Sequence, residues 1–191
     1  MCCWEADGLN RFDAFTHKPT SQYSLAYEKA SIIFNISAVL SCHAALQNRS
    51  EDHGLKTAYH SFQASAGMFT YINENFLHAP SVDLSRETVK CLIQLMLAQA
   101  QEVFLEKQIA DQKKVGMLAK LASQGAYLYA QALEGVQENV TKATFERVWL
   151  LVTQVSRHHT NPVLSTVWET LTIAHRSNQT TCHHSHNTTK H

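Results

Sequence analysis

The chain has 191 residues, and its 16 Lys and Arg balance 16 Asp and Glu, so the formal net charge is zero. Nucleic-acid binding depends on clustered positive charge, so this balance removes the electrostatic case for such a partner. With only 6 glycines and 3 prolines, the chain has few of the turn residues that an all-β fold needs. The length is sufficient for one domain with a hydrophobic core.

The cysteine pattern and the start of the sequence predict the cellular compartment. The 5 cysteines include no C-x-x-C pair, which favours a reducing compartment over a disulfide framework. Cys42 and Cys91 lie in apolar runs and are predicted to be small buried side chains. Residues 1–10 lack the basic region and apolar core of a secretory signal, and no apolar run reaches the ~18 residues of a membrane span. We therefore expect a cytoplasmic chain without a transmembrane segment.

The first part of the chain is predicted as a lead-in followed by a long helix. Residues 1–20 show no clear periodicity and are interpreted as irregular, with the first helix beginning near Thr20 or Ser21. That helix, residues 21–48, is apolar over most of its circumference, which is typical of a central, buried helix. Asn35 within it would then need a buried hydrogen-bond partner.

A second helix is predicted over residues 51–78, with Ser50 as its N-cap, and it ends before Ala79-Pro80. Gly67 lies in its middle, where glycine costs ~1 kcal/mol relative to alanine. We interpret this glycine as a point of close approach between two helices.

The clearest helical pattern lies in residues 85–108. Ser85 is a suitable N-cap, and Glu87 follows in the first turn, where a negative charge is favourable. The apolar residues recur at the spacing of one helix face: Val89, Leu92, Ile93, Met96, Leu97, Ala100, Val103 and Phe104. We expect the other helices to pack around this one.

Two more helices are predicted over residues 115–137 and 141–158, and short turns make neighbouring helices antiparallel. The predicted fold class is therefore all-α, with helical hairpins arranged in a solenoid or bundle. Residues 159–191 form a polar tail that is predicted to be disordered. Its Cys182 and its histidines, His183, His184, His186 and His191, show no ordered ligand spacing, so no metal site is predicted.

Motifs of catalysis are absent from the sequence. It contains no phosphate-binding G-x-x-x-x-G-K-S/T, no G-x-G-x-x-G, no G-x-S-x-G and no H-E-x-x-H. We therefore expect neither an enzyme nor a bound cofactor.

One apolar feature lies outside the main helix stripes. Phe104 lies in the last turns of the third predicted helix, and Met117 lies one turn before Leu121 in the fourth. These side chains would form an apolar corner that suits an amphipathic partner helix. The alternative, in which other parts of the same chain bury them, stays open at this point.

Several segments resemble the Bro domain family, which includes Alix, fungal vacuolar-sorting proteins and the fungal pH-signalling scaffold PalA. LAQAQEVF (97–104) and YEKASIIFN (27–35) are the most specific, and FTYINENFLHAPS and VGMLAKLASQ are typical of fungal members. The resemblance extends over roughly residues 12 to 156, and it depends on four segments in order: 24–41, 54–85, 88–108 and 118–129.

The resemblance implies a TPR-like helical solenoid without catalytic activity. It implies an adaptor that binds the C-terminal amphipathic helix of an ESCRT-III subunit and acts on endosomal membranes through its partners. Matched segment to segment, the docking residues fall on Phe104, Met117 and Leu121. The domain organisation implied is a lead-in over 1–20, a partial Bro domain over 21–158 and an unmatched tail over 159–191.

The sequence also departs from the family pattern. The tryptophan expected ahead of Phe12-Asp13-Ala14-Phe15 is replaced by Arg11, and the family's N-terminal β-sheet is expected to be missing, as in a fragment. Two alternatives to the sorting adaptor remain: a scaffold of fungal ambient-pH signalling, and an unrelated helical-repeat protein.

Overall fold

The structure is a computed structural model, and it describes residues 9–76 and 81–137. Within these ranges the helices pack in chain order, α1 on α2, α2 on α3 and α3 on α4. The predicted all-α class is therefore confirmed. The elements are β1 (Leu9–Phe12), β2 (Pro19–Gln22), α1 (Leu25–Ala45), α2 (Asp52–Asn75), α3 (Arg86–Ala110) and α4 (Val115–Gln137).

Side-chain contacts show that consecutive helices are antiparallel. His43, near the end of α1, contacts Ser61 at 3.0 Å, whereas Phe34 in the middle of α1 packs on Phe69 further along α2. The same reversal relates α3 to α4, because the late residue Gln101 bonds to Leu121 near the start of α4. The described helices thus form a row of hairpins.

Local capping explains where α1 and α3 begin. The hydroxyl of Ser24 accepts the N–H of Tyr27, and the hydroxyl of Ser85 accepts the N–H of Thr88 at 3.3 Å. Ser85 is the N-cap that the sequence predicts. The predicted cap Ser50 is wrong, since Glu51 is the N-cap residue of α2 and makes no capping bond with its side chain.

The core is concentrated on α2 and α3, which are each covered on two sides. Val89 and Val103 of α3 are fully buried, as are Ala58 of α2 and Ala132 of α4. This burial agrees with the prediction that the third helix is central. Each Val or Leu side chain transferred from water contributes ~1.5–3 kcal/mol.

The prediction that the first helix is central is wrong. Among the described elements α1 packs mainly on α2, and its other side faces solvent, with Leu25 85% and Val39 67% exposed. Cys42 and Asn35 are exposed as well, so Cys42 is not a core residue and Asn35 needs no internal partner. Cys91, by contrast, is buried as predicted. The apolar fraction of a helix indicates how much of its surface is suited to burial, but it does not indicate which elements will pack against that surface.

The lead-in is more ordered than predicted. β1 and β2 pair antiparallel, with Leu9 opposite Gln22 and Phe12 opposite Pro19. The first helix consequently begins at Leu25 and not near Thr20. This small two-stranded sheet is an addition to the predicted helices, and the class of the described chain remains all-α. Four-residue strands are too short to give a clear alternating pattern.

A buried polar cluster fastens this hairpin to the segment before α3, and we call it the clamp: Arg11, Asp13 and Asp83. Asp83, fully buried, accepts the Arg11 guanidinium at 2.6 Å and the N–H of Ala14 at 2.9 Å. Asp13 in turn accepts the N–H of Asp83 at 2.9 Å. The guanidinium also lies 4.9 Å from the centre of the Phe34 ring, so it occupies an aromatic environment where the family pattern has tryptophan.

The carboxylate of Asp13 is well supplied with donors. Burial alone would raise its pKa, but hydrogen bonds from the backbone N–H groups of Thr16, Asp83 and Phe15 hold the pKa below its usual value. The clamp is thus buried and hydrogen-bonded at each of its carboxylates.

The glycine prediction is also wrong. A Cβ added at Gly67 would meet open space, so this residue marks no close contact. Gly135 has that role instead, because a Cβ there would lie 3.4 Å from the sulfur of Cys91, where α4 approaches α3. Gly54 lies against the carbonyl of Asn48 in the turn between α1 and α2.

Two predictions lie outside the described residues: the helix over 141–158 and the tail over 159–191. The predicted end of the second helix at residue 78 is wrong, because α2 ends at Asn75 and Phe76 is its extended C-cap. Across residues 9–76 and 81–137, none of the helices has the length and hydrophobicity to span a bilayer.

Candidate functional site

The three residues predicted to bind a partner lie at the turn between α3 and α4. Met117 is 41% exposed, and Phe104 and Leu121 are half-buried. The side chains are therefore not sealed by their own chain, which was the open alternative. We call these three residues the apolar corner.

Tyr59 of α2 supports Phe104 from below. The two rings are tilted with centroids 5.4 Å apart, and the Tyr59 hydroxyl accepts a hydrogen bond from Gln63 at 2.8 Å. Such an aromatic pair adds ~0.5–1.5 kcal/mol beyond area burial. The sequence placed Tyr59 on the core stripe of α2. Nothing in the sequence indicated its contact with Phe104, which lies 45 positions further along the chain.

Leu121 is positioned by a bond to its backbone. The side-chain amide of Gln101 donates to the Leu121 carbonyl at 3.1 Å, one turn before Phe104 on α3. Met117 lies one turn earlier on α4, in the first turn after the connection 111–114. The structure thus places Leu121 beside the turn of α3 that carries Phe104, and Met117 next to it.

The joint between α3 and α4 is reinforced further along. The Tyr129 hydroxyl donates to the Glu102 carboxylate, and Cys91 contacts the Ala132 carbonyl at 3.6 Å. Tyr129 is almost completely buried. A fixed joint holds the corner in one arrangement before any partner arrives, which lowers the entropic cost of binding.

Charged residues lie at the base of the corner. Lys107 contacts Asp52 at 2.5 Å and Asp111 at 3.3 Å, and Lys56 contacts Asp52 at 2.6 Å. The hydrogen bond from Lys107, followed by that from Lys56, lowers the pKa of Asp52 to about 2. The same hydrogen bond raises the pKa of Lys107, so Asp52 and Lys107 stay charged at neutral pH and form part of a polar rim.

A second pair, Arg49 with Glu106, joins the turn after α1 to the end of α3 at 3.1 Å. Burial raises the pKa of Glu106, Arg49 opposes this, and the neighbouring carboxylate of Glu102 adds to it. An apolar centre with a charged rim is the usual anatomy of a protein interface.

Metal chemistry has no support in the described part of the chain, where no cluster of three or more His, Cys, Asp or Glu side chains is arranged to hold an ion. The corner itself is an apolar surface on α3 and α4, with Tyr59 of α2 packed against Phe104.

A sequence model of the BRO1-like domain matches residues 10–166 of the chain. Because that match covers most of the chain, the chain belongs to the BRO1-like domain family.

Named relatives lie close to it in sequence. The chain is 82% identical over 150 residues to the vacuolar protein-sorting protein bro-1 of Neurospora crassa, covering 78% of the chain and 15% of the relative. It is 79% identical over 150 residues, with the same coverage, to the vacuolar protein-sorting protein BRO1 of Gibberella zeae. Mouse Rhophilin-2 is 34% identical over 170 residues, covering 86% of the chain and 25% of that protein. The chain thus spans only about 15% of the length of its fungal relatives.

Solved structures agree. The ALIX BRO1 CHMP4C complex matches with a TM-score of 0.80 and 32% identity over 87% of the chain and 48% of the solved chain. A structure described as the basis for endosomal targeting by the Bro1 domain matches at 0.74 with 25% identity, over 86% of the chain and 45% of that chain.

Proposed function

We propose that this chain is part of a non-enzymatic ESCRT-associated adaptor that binds the C-terminal amphipathic helix of an ESCRT-III subunit. The adaptor acts in endosomal and multivesicular-body sorting to the vacuole, and it is cytoplasmic and recruited to endosomes through its partners. The observation that carries the proposal is the apolar corner, where Phe104, Met117 and Leu121 remain accessible on a fixed three-helix support.

The corner has the chemistry that an amphipathic helix needs. Apolar side chains spaced three and four residues apart on the partner would cover Met117 and the exposed edges of Phe104 and Leu121. Met117 is flexible and adapts to the partner, whereas Phe104 is held by Tyr59. Complete burial of a Met or Leu side chain is worth ~1.5–3 kcal/mol, so the corner supplies a modest, reversible affinity.

The comparisons support the same partner class. The ALIX BRO1 domain has been solved in complex with CHMP4C, and its structure matches 87% of the present chain. Relatives with 73% to 82% identity are named vacuolar protein-sorting proteins. These names favour the sorting adaptor over the pH-signalling scaffold, which shares the docking step. Family membership removes the third alternative, an unrelated helical repeat.

The test is binding of a fluorescent peptide from the C-terminal helix of the fungal ESCRT-III subunit. Met117→Asp and Leu121→Asp should each abolish measurable binding, because a carboxylate would be buried in an apolar contact. Val39→Asp is the matched control, since it makes the same change on the exposed side of α1. Circular dichroism checks that all three variants keep their helical content. Wild-type affinity in both corner variants would reject this docking surface.

A further inference from the structure

The apolar corner is one end of a longer face. On α3, residues at spacings of three and four lead from Phe104 away from the corner through Gln101, Leu97 and Ile93 to Lys90. Such spacings keep side chains on one side of a helix, so these residues form one row. The row extends 14 residues, which is about 21 Å along the helix axis.

The two neighbouring helices continue the face in the same direction. On α2 the same periodicity leads from Tyr59 to Asn73, and on α4 it leads from Leu121 to Gln131 and Gly135. Because the helices are antiparallel, all three rows end at the same place, around the N-terminal half of α3 and the C-terminal halves of its neighbours.

A cleft of about 590 Å³ lies where the rows end. Its charged lining consists of Arg86, Glu87 and Lys90 from α3 and Glu134 from α4. This volume falls within the range of binding sites for small molecules and short peptides. The cleft is polar, whereas the other end of the face is apolar.

The charged side chains of the cleft are not paired with one another or with neighbouring charges among the described residues. Elsewhere on this face Asp52, Lys56 and Lys107 pair with one another, but over the described residues none of the cleft's four charges joins an ion pair. Asn73 also lines the cleft, and its carbonyl oxygen is buried without a hydrogen-bond partner among the described residues. A buried amide oxygen without a donor is costly, and a ligand N–H would satisfy it.

We propose that this cleft is a second contact for the partner whose helix binds the apolar corner. It takes the polar segment that precedes the amphipathic helix, with carboxylates bound by Arg86 and Lys90 and amino or amide groups bound by Glu134 and Asn73. The proposal rests on the proposed function, because it is the continuity of one face that joins the cleft to the corner. The corner supplies apolar contact, and the cleft selects for a flanking segment that carries both signs of charge.

The experiment compares two peptides from the ESCRT-III subunit on the 191-residue chain. The short peptide is the amphipathic helix alone, and the long peptide adds the polar segment before it. The long peptide should bind about fivefold more tightly, and Lys90→Glu or Glu134→Lys should each remove that gain. Both variants should leave the short peptide unaffected, and the gain should shrink as salt is raised.

Lys18→Glu is the control for the charge change, because Lys18 is exposed on the hairpin and does not line the cleft. A long peptide whose acidic residues are replaced by lysine should recover its affinity for the Lys90→Glu variant. That recovery separates a direct contact from a general loss of structure.

The outcomes separate the two proposals. Equal affinities of both peptides for the wild-type chain, or equal losses for both peptides in the cleft variants, would overturn the second contact and leave the corner intact. A short peptide that does not bind, or that binds Leu121→Asp as tightly as wild type, would overturn the proposed function itself.

Discussion

The clamp and the apolar corner are opposite solutions to the placement of polar and apolar groups. In the clamp, the carboxylates of Asp13 and Asp83 are buried and surrounded by donors. In the corner, Met117 and parts of Phe104 and Leu121 face water on a rigid support. Buried charges are tolerated where every one is paired, whereas an apolar group of exposed side chains is a candidate for contact with a partner.

This difference separates two measurements: unfolding should report on the clamp, and partner binding should report on the apolar corner. Changes in the clamp should alter the free energy of unfolding, because they leave buried charges or N–H groups without partners. Changes in the corner should alter binding and leave folding nearly unchanged. The following predictions test this division.

Asp83→Ala should have the largest effect on stability, a loss of about 3 kcal/mol, because it leaves the Arg11 guanidinium buried without its carboxylate. Urea unfolding followed by circular dichroism measures this loss. The double change Arg11→Leu with Asp83→Ala should recover part of it, since the isolated charge is removed as well. If Asp83→Ala were as stable as wild type, the clamp would not be what holds the hairpin to the segment before α3.

Asp13→Asn should cost about 2 kcal/mol, because an amide has one acceptor oxygen where the carboxylate has two. In the wild type one oxygen accepts the N–H groups of Phe15 and Thr16, and the other accepts that of Asp83. The same unfolding experiment measures the cost. Glu28→Gln, an exposed carboxylate on α1, is the matched control and should be nearly neutral.

Acid should weaken the clamp over a defined range of pH. The pKa of Asp13 is lower in the folded chain than its ordinary 3.8, so its stabilising contribution is complete above that value. The contribution is lost as the pH falls from 3.8 through the folded pKa. Unfolding titrations should therefore show a shallower acid slope for Asp13→Asn than for wild type. Identical slopes for the two proteins would mean that protonation of Asp13 does not cause the loss of stability in acid.

Met117→Asp should have the smallest effect on stability, no more than about 0.5 kcal/mol, although the proposed function predicts that it abolishes partner binding. The side chain is already 41% exposed, so little buried apolar area is lost. Thermal unfolding of this variant beside wild type provides the measurement. A large drop in melting temperature would place Met117 in the core and remove the contrast between the two regions.

Local features of the fold were predictable from the sequence. The Ser85 cap and the bounds of α4 depend on residues within one or two turns, and both agree with the structure. The burial of Val89 and Val103 followed from a regular apolar stripe on a helix covered from two sides. Such signals lie in neighbouring positions and need no knowledge of the rest of the chain.

Contacts between distant residues were not predictable. Asp13 and Asp83 are 70 positions apart in the chain, and nothing in either segment indicates their pairing. The exposure of Val39 depends on which elements pack beside α1, and the sequence of α1 does not contain that information. At the candidate site, periodicity placed Met117 off the main stripe, and the short turn between α3 and α4 suggested its grouping with Phe104 and Leu121. The docking role of these residues came from the family resemblance.

Gly54 has a consequence for how the corner is held. A Cβ at this position would overlap the carbonyl oxygen of Asn48, so the close approach of the α1–α2 turn to α2 requires glycine. The next residue after Asn48, Arg49, reaches across to Glu106 at the end of α3. A methyl group added at position 54 should therefore displace Asn48 and Arg49 and weaken this tether, so the change would reach the neighbouring helix at the end that carries Phe104.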